Sequence, residues 1–304
     1  MRGERGILAT AVVSSLLASG ACRPDLGDRD SFVAAPRIVA MKSEPPEAKA
    51  GDVVTYSVLV AAPPGSPDEG VVRWAFCASP KALTENNVVS SECLGAGVRP
   101  IAGEARTVMT ETPVDACALF GPETPPGNFR PRDADQTGGY FQPVRAVVGA
   151  ETAFGLLRVR CNLANAPVDI ARDFAARYRE NRNPALRPLG VTLDGVPRAL
   201  DRIPAGQRVG LVASWGTGDA ESYVAFDVAT QSVVDRRESM RVSWFSTGGT
   251  FDVDRTGRTE TETLATSGNG WLSPERAGPA TIWIVLRDSR GGVDFATYAV
   301  TVVP

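Results

Sequence analysis

Histidine is absent from the whole of this 304-residue chain. That removes Ser-His-Asp and Cys-His catalysis, the H-E-x-x-H zinc site and every other metal site built on imidazole. Lysine is almost absent: Lys42, Lys49 and Lys81 are the only three, and all other basic residues are arginine. Beside abundant Ala, Gly and Val this reads as a bias in coding composition and not as a phosphate-binding surface. No apolar run approaches the roughly 20 residues that a membrane-spanning helix needs. Charge of one sign is lacking too. The formal net charge is −3 with 22% charged residues, which argues against nucleic-acid binding as the main task.

What the chain does have is turns. Thirty glycines and 23 prolines exceed their usual combined share of about 12% and favour many short strands. The first 22 residues carry an address. Arg2 and Arg5 precede an apolar stretch from Ile7 to Leu17, then the small residues Ala18-Ser19-Gly20-Ala21, then Cys22. The stretch has secretory-signal length and is too short to span a bilayer. Its end resembles a bacterial lipobox, in which a Cys after small residues is acylated and becomes the mature N-terminus. That pattern prefers Leu three positions before the Cys, where Ser19 stands here, with Leu17 two further back. Ordinary signal-peptidase cleavage is the other route, because Ser19-Gly20-Ala21 also satisfies a small-x-small rule. The resemblance implies lipidation at Cys22, a membrane partner reached through that lipid, and a place at the bacterial outer membrane or cell surface. Arg23 after the Cys, by analogy with other lipoproteins, points to outer-membrane sorting. Without the lipid the chain is expected to be periplasmic or secreted. Residues 23–35, with Pro, Gly and three Asp, read as a short tether.

Four cysteines remain after Cys22: Cys77, Cys93, Cys117 and Cys161. An even number behind an export signal suggests two disulfides with three possible connectivities. Nearest-neighbour pairing, Cys77–Cys93 and Cys117–Cys161, is the expectation. No C-x-x-C spacing supports a redox or zinc-ribbon site.

The body, 36–304, shows period-2 patterns from Arg37 onward. Strands are expected at Arg37–Met41, Val53–Ala61 and Val71–Cys77, the last with Trp74 at its middle. Residues 78–139 are long and irregular and read as an insertion stapled by disulfides. Strands return at Tyr140–Val148 and Ala153–Asn162. One helix is expected over 166–181: Asn165 can cap it, Pro167 suits its first turn, and Ala171, Phe174, Ala175 and Tyr178 share a face. A second β unit follows, with strands at Leu189–Leu193, Val209–Trp215, Tyr223–Val228 and Met240–Ser246. Residues 247–269 read as a polar stretch. A final hairpin pairs Thr281–Leu286 with Phe295–Val303 around Asp288-Ser-Arg-Gly-Gly292.

Two resemblances follow from these residues. The order strand, Pro/Gly-Asp turn, strand, loop and Trp74 strand resembles strands A to C of immunoglobulin-like domains, without their strand-B cysteine. VSWFSTGGTFDVD, Pro274, Gly278 and IWIVLRDSRGGVDFATYAVTVV resemble PKD-type and other bacterial immunoglobulin-like modules. Val285, Asp288, Gly291, Val300 and Val302 fall on that family's hairpin pattern, and Leu286-Arg287 adds one residue before Asp288. The whole chain resembles bacterial surface lipoproteins with tandem domains of this kind. The implied fold is all-β: two immunoglobulin-like β-sandwich domains over 36–184 and 185–304, the first with the 78–139 insertion and the helix. Such modules serve as spacers, adhesins or binding units, so the resemblance implies no specific chemistry.

Candidate chemistry is sparse. Asp252-Val-Asp254-Arg-Thr256-Gly257 opens like a calcium loop, but Thr263 stands where an EF-hand needs its bidentate Glu. A looser site using Asp252, Asp254 and Glu260 (or Glu262) is the one metal candidate, against the plainer reading of a polar turn. Asp133 and Asp135 lie in a similar acidic loop and read as a turn. Trp271, in Gly268-Asn-Gly-Trp-Leu, is the tryptophan placed in a loop and therefore the candidate carbohydrate platform, against the plainer reading of an anchor packed on the hairpin. Trp74, Trp215, Trp244 and Trp283 read as core. Paired carboxylates alone can hydrolyse glycosides, but no G-x-S-x-G, Ser-x-x-Lys or phosphate-loop signature occurs, and no cofactor is expected. The sequence therefore reads as a non-catalytic, exported structural or ligand-binding surface module. An adhesin that binds envelope glycan or protein through its loops is the alternative, and a carboxylate hydrolase is the third.

Overall fold

The computed structural model describes residues 29–66, 70–80, 89–119, 138–163 and 166–304. The chain is mostly β, arranged as two sandwiches.

In the first sandwich, Val53–Ala61 pairs antiparallel with Arg37–Glu44 on one side and Thr107–Glu111 on the other. The facing sheet runs Glu47–Lys49, Glu151–Arg160, Gly139–Val148, Val72–Cys77, Val98–Pro100. The alternation of Val54, Tyr56 and Val58 does what its period dictates: all three are buried between the sheets. They meet Trp74, Phe76, Val144, Leu157 and Val159 there. The Tyr56 ring stands edge-on to Phe76, with centroids 5.9 Å apart.

The second sandwich sets the sheet Val196–Pro197, Gly190–Leu193, Arg208–Ser214, Thr266–Leu272, Thr250–Phe251 against the sheet Arg202–Pro204, Val293–Val303, Gly278–Asp288, Met240–Ser246, Arg255–Arg258. Leu211, Trp215, Trp244, Trp271, Ile282, Ile284 and Leu286 fill its core. Both sandwiches share one device. A short strand crosses to the opposite sheet and pairs in parallel with the last strand: Glu47–Lys49 against Arg158–Arg160, and Arg202–Pro204 against Thr301–Val303.

A third apolar cluster joins the two. Val39, Ala40, Leu59 and Ala61, on the outer face of the first sandwich, pack against Phe245, Trp283, Val285, Val293 and Phe295 of the second. Gly278–Asp288 is therefore buried on both faces: Ile282, Ile284 and Leu286 point into the second core, Trp283 and Val285 into the seam. That explains its unbroken apolar run, which a half-solvated strand would not carry.

Four expectations need correction. Residues 78–139 are not simply a stapled loop, since Val98–Pro100 and Thr107–Glu111 extend one sheet each. The polar stretch 247–269 holds three strand segments. Ser267, Gly268, Asn269 and Gly270 have weak strand propensity, yet Thr266–Leu272 is central in its sheet because Ser267 and Trp271 alternate inward. The helix is shorter, Val168–Arg177, with Pro167 at its N-cap; Asn165 lies outside the described residues. It stops because Tyr178 turns extended (ψ 138°) and the chain beyond is drawn into the seam. Finally, the part of the tether that is described is bound to the second sandwich. Val33 donates its N–H to Ser246 O (2.8 Å), Ser246 returns one to Ser31 O (2.8 Å), and Val33 is buried in the seam cluster.

Candidate functional site at the seam

The densest chemistry in the described residues is a buried ion cluster beside this apolar seam. It is built where the final hairpin turn of the second sandwich meets the first sandwich and the segment 178–189 that links them. Asp288 makes the turn: its Oδ1 accepts the N–H groups of Arg290 and Gly292, both at 2.8 Å. That aims Arg290 inward. Its Nε donates to Glu238 Oε1 (2.6 Å), its Nη2 to Glu221 Oε2 (3.0 Å) and its Nη1 to the carbonyl of Arg179 (2.8 Å). The guanidinium lies 4.8 Å from the centre of the Tyr223 ring. Glu238 Oε2 in turn accepts the N–H of Glu221 at 2.8 Å.

The first sandwich contributes Glu47 and Arg158. The Glu47 carboxylate accepts the Tyr178 hydroxyl and the Asn181 N–H (2.9 Å), and it lies 3.7 Å from Arg158 Nε and 3.9 Å from Arg290 Nη1. Arg158 interrupts an apolar strand, Leu157-Arg-Val159. The period of two sends it to the face opposite its neighbours, and a Cβ on Gly139 would come within 2.5 Å of its Nη2. Only glycine leaves room for it. The linker closes the cluster. Asn181 Nδ2 reaches both Asp288 oxygens at 3.4 Å. Asn183 Nδ2 donates to Ser43 O (2.7 Å), and its Oδ1 accepts the Val293 N–H (2.8 Å).

Four carboxylates (Glu47, Glu221, Glu238, Asp288) thus surround the two buried guanidiniums of Arg158 and Arg290, and the exposed Arg182 pairs with Glu221 from outside (2.6 Å). Burial, with Asp288 nearby, pushes the Glu238 carboxyl up to about 7, against the pull of Arg290. Burial raises Asp288 as well, and Tyr178 is pushed up to about 12. The carboxylates of Glu47, Glu238 and Asp288 point at fixed donors, and of the four Glu221 alone borders a surface cavity, shared with Arg182, Asn183, Gly218 and Asp219. Chemically, the arrangement holds two sandwiches and a linker at one angle.

Sequence reading missed this cluster because its members are far apart in the chain. The available signals were the lone Arg158 in an apolar strand and the charged hairpin turn. Tyr178, expected in a hydrophobic core, stacks near Phe174 (5.0 Å between centroids) but turns its hydroxyl into the cluster.

The candidate residues named from sequence are not brought together. Cys22 lies outside the described residues, as do Asp133 and Asp135. Cys77–Cys93 and Cys117–Cys161 are disulfides, with Cα atoms 5.3 and 5.7 Å apart. Trp271 is no exposed platform. It is 0% exposed, and its indole N–H donates to Gly248 O at 3.1 Å. The Gly249 turn (φ 74°) folds over it, and a Cβ there would meet the indole nitrogen at 2.7 Å. The proposed calcium ligands diverge. Asp252 pairs with Arg208, Asp254 accepts the Ser31 hydroxyl (2.6 Å), and Glu260 lies 3.5 Å from Arg236. Among the described residues no group of three acidic or cysteine side chains is placed to hold a metal ion.

No family model matches the chain, and no curated protein matches it. Solved structures similar to parts of it include a lipoprotein from Bacteroides thetaiotaomicron (10% identity, 38% of this chain and 79% of that one, TM-score 0.22). The adhesin InvE of Yersinia pseudotuberculosis is another (10% identity, 87% and 58% covered, TM-score 0.22). A third is the C-terminal domain of the antigen I/II-family protein AspA from Streptococcus pyogenes (10% identity, 90% and 100% covered, TM-score 0.23). Likenesses this distant carry no argument about what the chain does, so its reading rests on its own residues.

Proposed function

We propose that the chain is an exported cell-envelope module, held to a membrane by a lipid on Cys22. In this reading it has a structural or ligand-presenting role and no catalysis of its own. The observation that carries this is the pairing of all four body cysteines into two disulfides behind an N-terminal segment of signal and lipobox pattern. Disulfides persist in oxidising compartments and are rare in the cytosol. The seam supports the structural part: Arg158, Arg290 and the buried carboxylates around them join the two sandwiches and the linker.

The test is the intact mass of the protein from the membrane fraction of its host, with and without reduction and alkylation. A diacyl- or triacylglyceryl mass on Cys22, with four thiols appearing only on reduction, is the expected result. A chain that retains Met1 and has free thiols would overturn the reading. A chain that begins at Cys22 without acyl groups would keep export and discard the anchor.

A further inference from the structure

Arginines gather without a counter-charge on the outer face of the second sandwich, at the rim of the seam. Arg241 and Arg287 are direct cross-strand partners, and Arg255 is the partner of Ser243, two residues along the same strand. Directly paired residues project to the same side of a sheet, so all three guanidiniums share one face. Among the described residues no carboxylate lies within ion-pair distance of any of them. Arg287 donates only to neutral oxygens, Val39 O at 2.9 Å and Ser243 Oγ at 3.5 Å. Arg37 extends the row, lying 5.3 Å from the centre of the Phe245 ring, two residues beyond Ser243. Like charges set directly opposite one another destabilise a sheet. In a chain of net charge −3, acidic side chains are plentiful enough to have answered them.

The same edge is where the N-terminal segment leaves the body. The Ser31 hydroxyl is bonded to Asp254, the residue before Arg255. Phe32 bridges Ser246, five residues along the strand from Arg241. Arg29 bonds the carbonyl of Phe251. Seven Cα-to-Cα steps lead from Arg29 back to Cys22, and at no more than about 3.6 Å each they reach roughly 25 Å. Any membrane that holds Cys22 therefore lies within roughly 25 Å of Arg29, on this side of the second sandwich.

We propose that the face formed by Arg241, Arg255 and Arg287 docks on the anionic phosphate headgroups of the membrane in which the Cys22 lipid is set. This rests on the anchored reading above. A guanidinium offers a planar fork suited to phosphate oxygens, and an anionic leaflet attracts basic groups within about a Debye length of its surface. Burial, with the nearby charges of Arg255 and Arg241 adding to it, holds the Arg287 guanidinium down to about 10; an anion would relieve the part owed to its neighbours.

The full-length protein, acylated or coupled through the Cys22 thiol to a maleimide lipid, is placed on vesicles of phosphatidylcholine alone or with 30% phosphatidylglycerol. Arginine modification by phenylglyoxal is then mapped by mass spectrometry. At low salt, Arg241 and Arg255 should react at least threefold more slowly on the anionic vesicles, with the difference lost in 0.5 M NaCl and Arg276 unaffected. Equal rates on the two vesicles would overturn the proposal. The coupled protein gives this answer even if the native chain carries no acyl group, so failure of the face and failure of the anchor are told apart. R241Q/R255Q, whose substitutions are exposed, should leave the fold intact and remove the residual salt-sensitive protection of Arg287.

Discussion

At the scale of single residues, Glu238 makes the sharpest prediction. It is 0% exposed and is held against Arg290, yet three further carboxylates crowd around the same two buried guanidiniums, and the third arginine of the group, Arg182, pairs with Glu221 alone among the described residues. With its folded value raised to about 7 from an ordinary 4.5, the native state binds a proton that the unfolded state has released. Stability therefore rises as pH falls from about 7 toward 4.5, and the benefit is lost again as pH climbs back through 7. Asp288 is raised and acts in the same direction. Asp115, held down by Arg99, acts oppositely, but only below its ordinary value of 3.8. Urea denaturation should show the protein more stable at pH 5.5 than at pH 8, by on the order of 1–2 kcal/mol. Glu238→Gln keeps the shape and removes the charge, so it should flatten much of that slope. A slope unchanged in Glu238→Gln would place the titration elsewhere.

At the scale of elements, the two disulfides should differ in worth. Cys77–Cys93 spans 16 positions and Cys117–Cys161 spans 44. Loop-closure entropy gives about 3 kcal/mol for the shorter loop and about 4 for the longer. Cys117→Ser/Cys161→Ser should accordingly lower the unfolding free energy by about 1 kcal/mol more than Cys77→Ser/Cys93→Ser in matched denaturant titrations. The reverse order would mean that native packing around Cys93 matters more than chain entropy. Elements were also the scale most open to sequence reading. Val53–Ala61, Met240–Ser246 and the last hairpin declare themselves, because apolar alternation and turn glycines are local signals. Thr266–Leu272 does not, because its Ser, Gly and Asn gain strand character only from the two strands beside it. The burial of Trp271 is illegible for the same reason: its neighbours have the composition of a loop. The seam cluster and the arginine face were hidden more thoroughly. Glu47, Arg158, Asn181, Glu238 and Arg290 become neighbours only when two sandwiches meet, and Arg241, Arg255 and Arg287 only through strand register. A composition rich in arginine gives no hint of which arginines are left unanswered.

For the whole molecule, the question is whether two sandwiches behave as one. Each has its own filled core, which would let each melt alone. Against this stand the apolar seam, the ion cluster, the linker bonded to both sides, and Val33, which the N-terminal segment inserts between them. Trp283 separates these contributions. It lies in the seam, on the face of its strand opposite Ile282 and Ile284, so its removal weakens the junction and spares both inner cores. Truncating a buried tryptophan costs about 3–5 kcal/mol. Where that loss falls depends on coupling. If the seam binds the sandwiches into one cooperative unit, calorimetry of the intact protein shows one transition with equal calorimetric and van't Hoff enthalpies, and Trp283→Ala splits it into two. If the wild-type protein already melts in two steps, the seam is a weak contact and the molecule is a hinged pair. A single transition that merely shifts down in Trp283→Ala would mean that the ion cluster and the linker suffice to couple the halves. Glu47→Gln in the same background should then be the change that separates them.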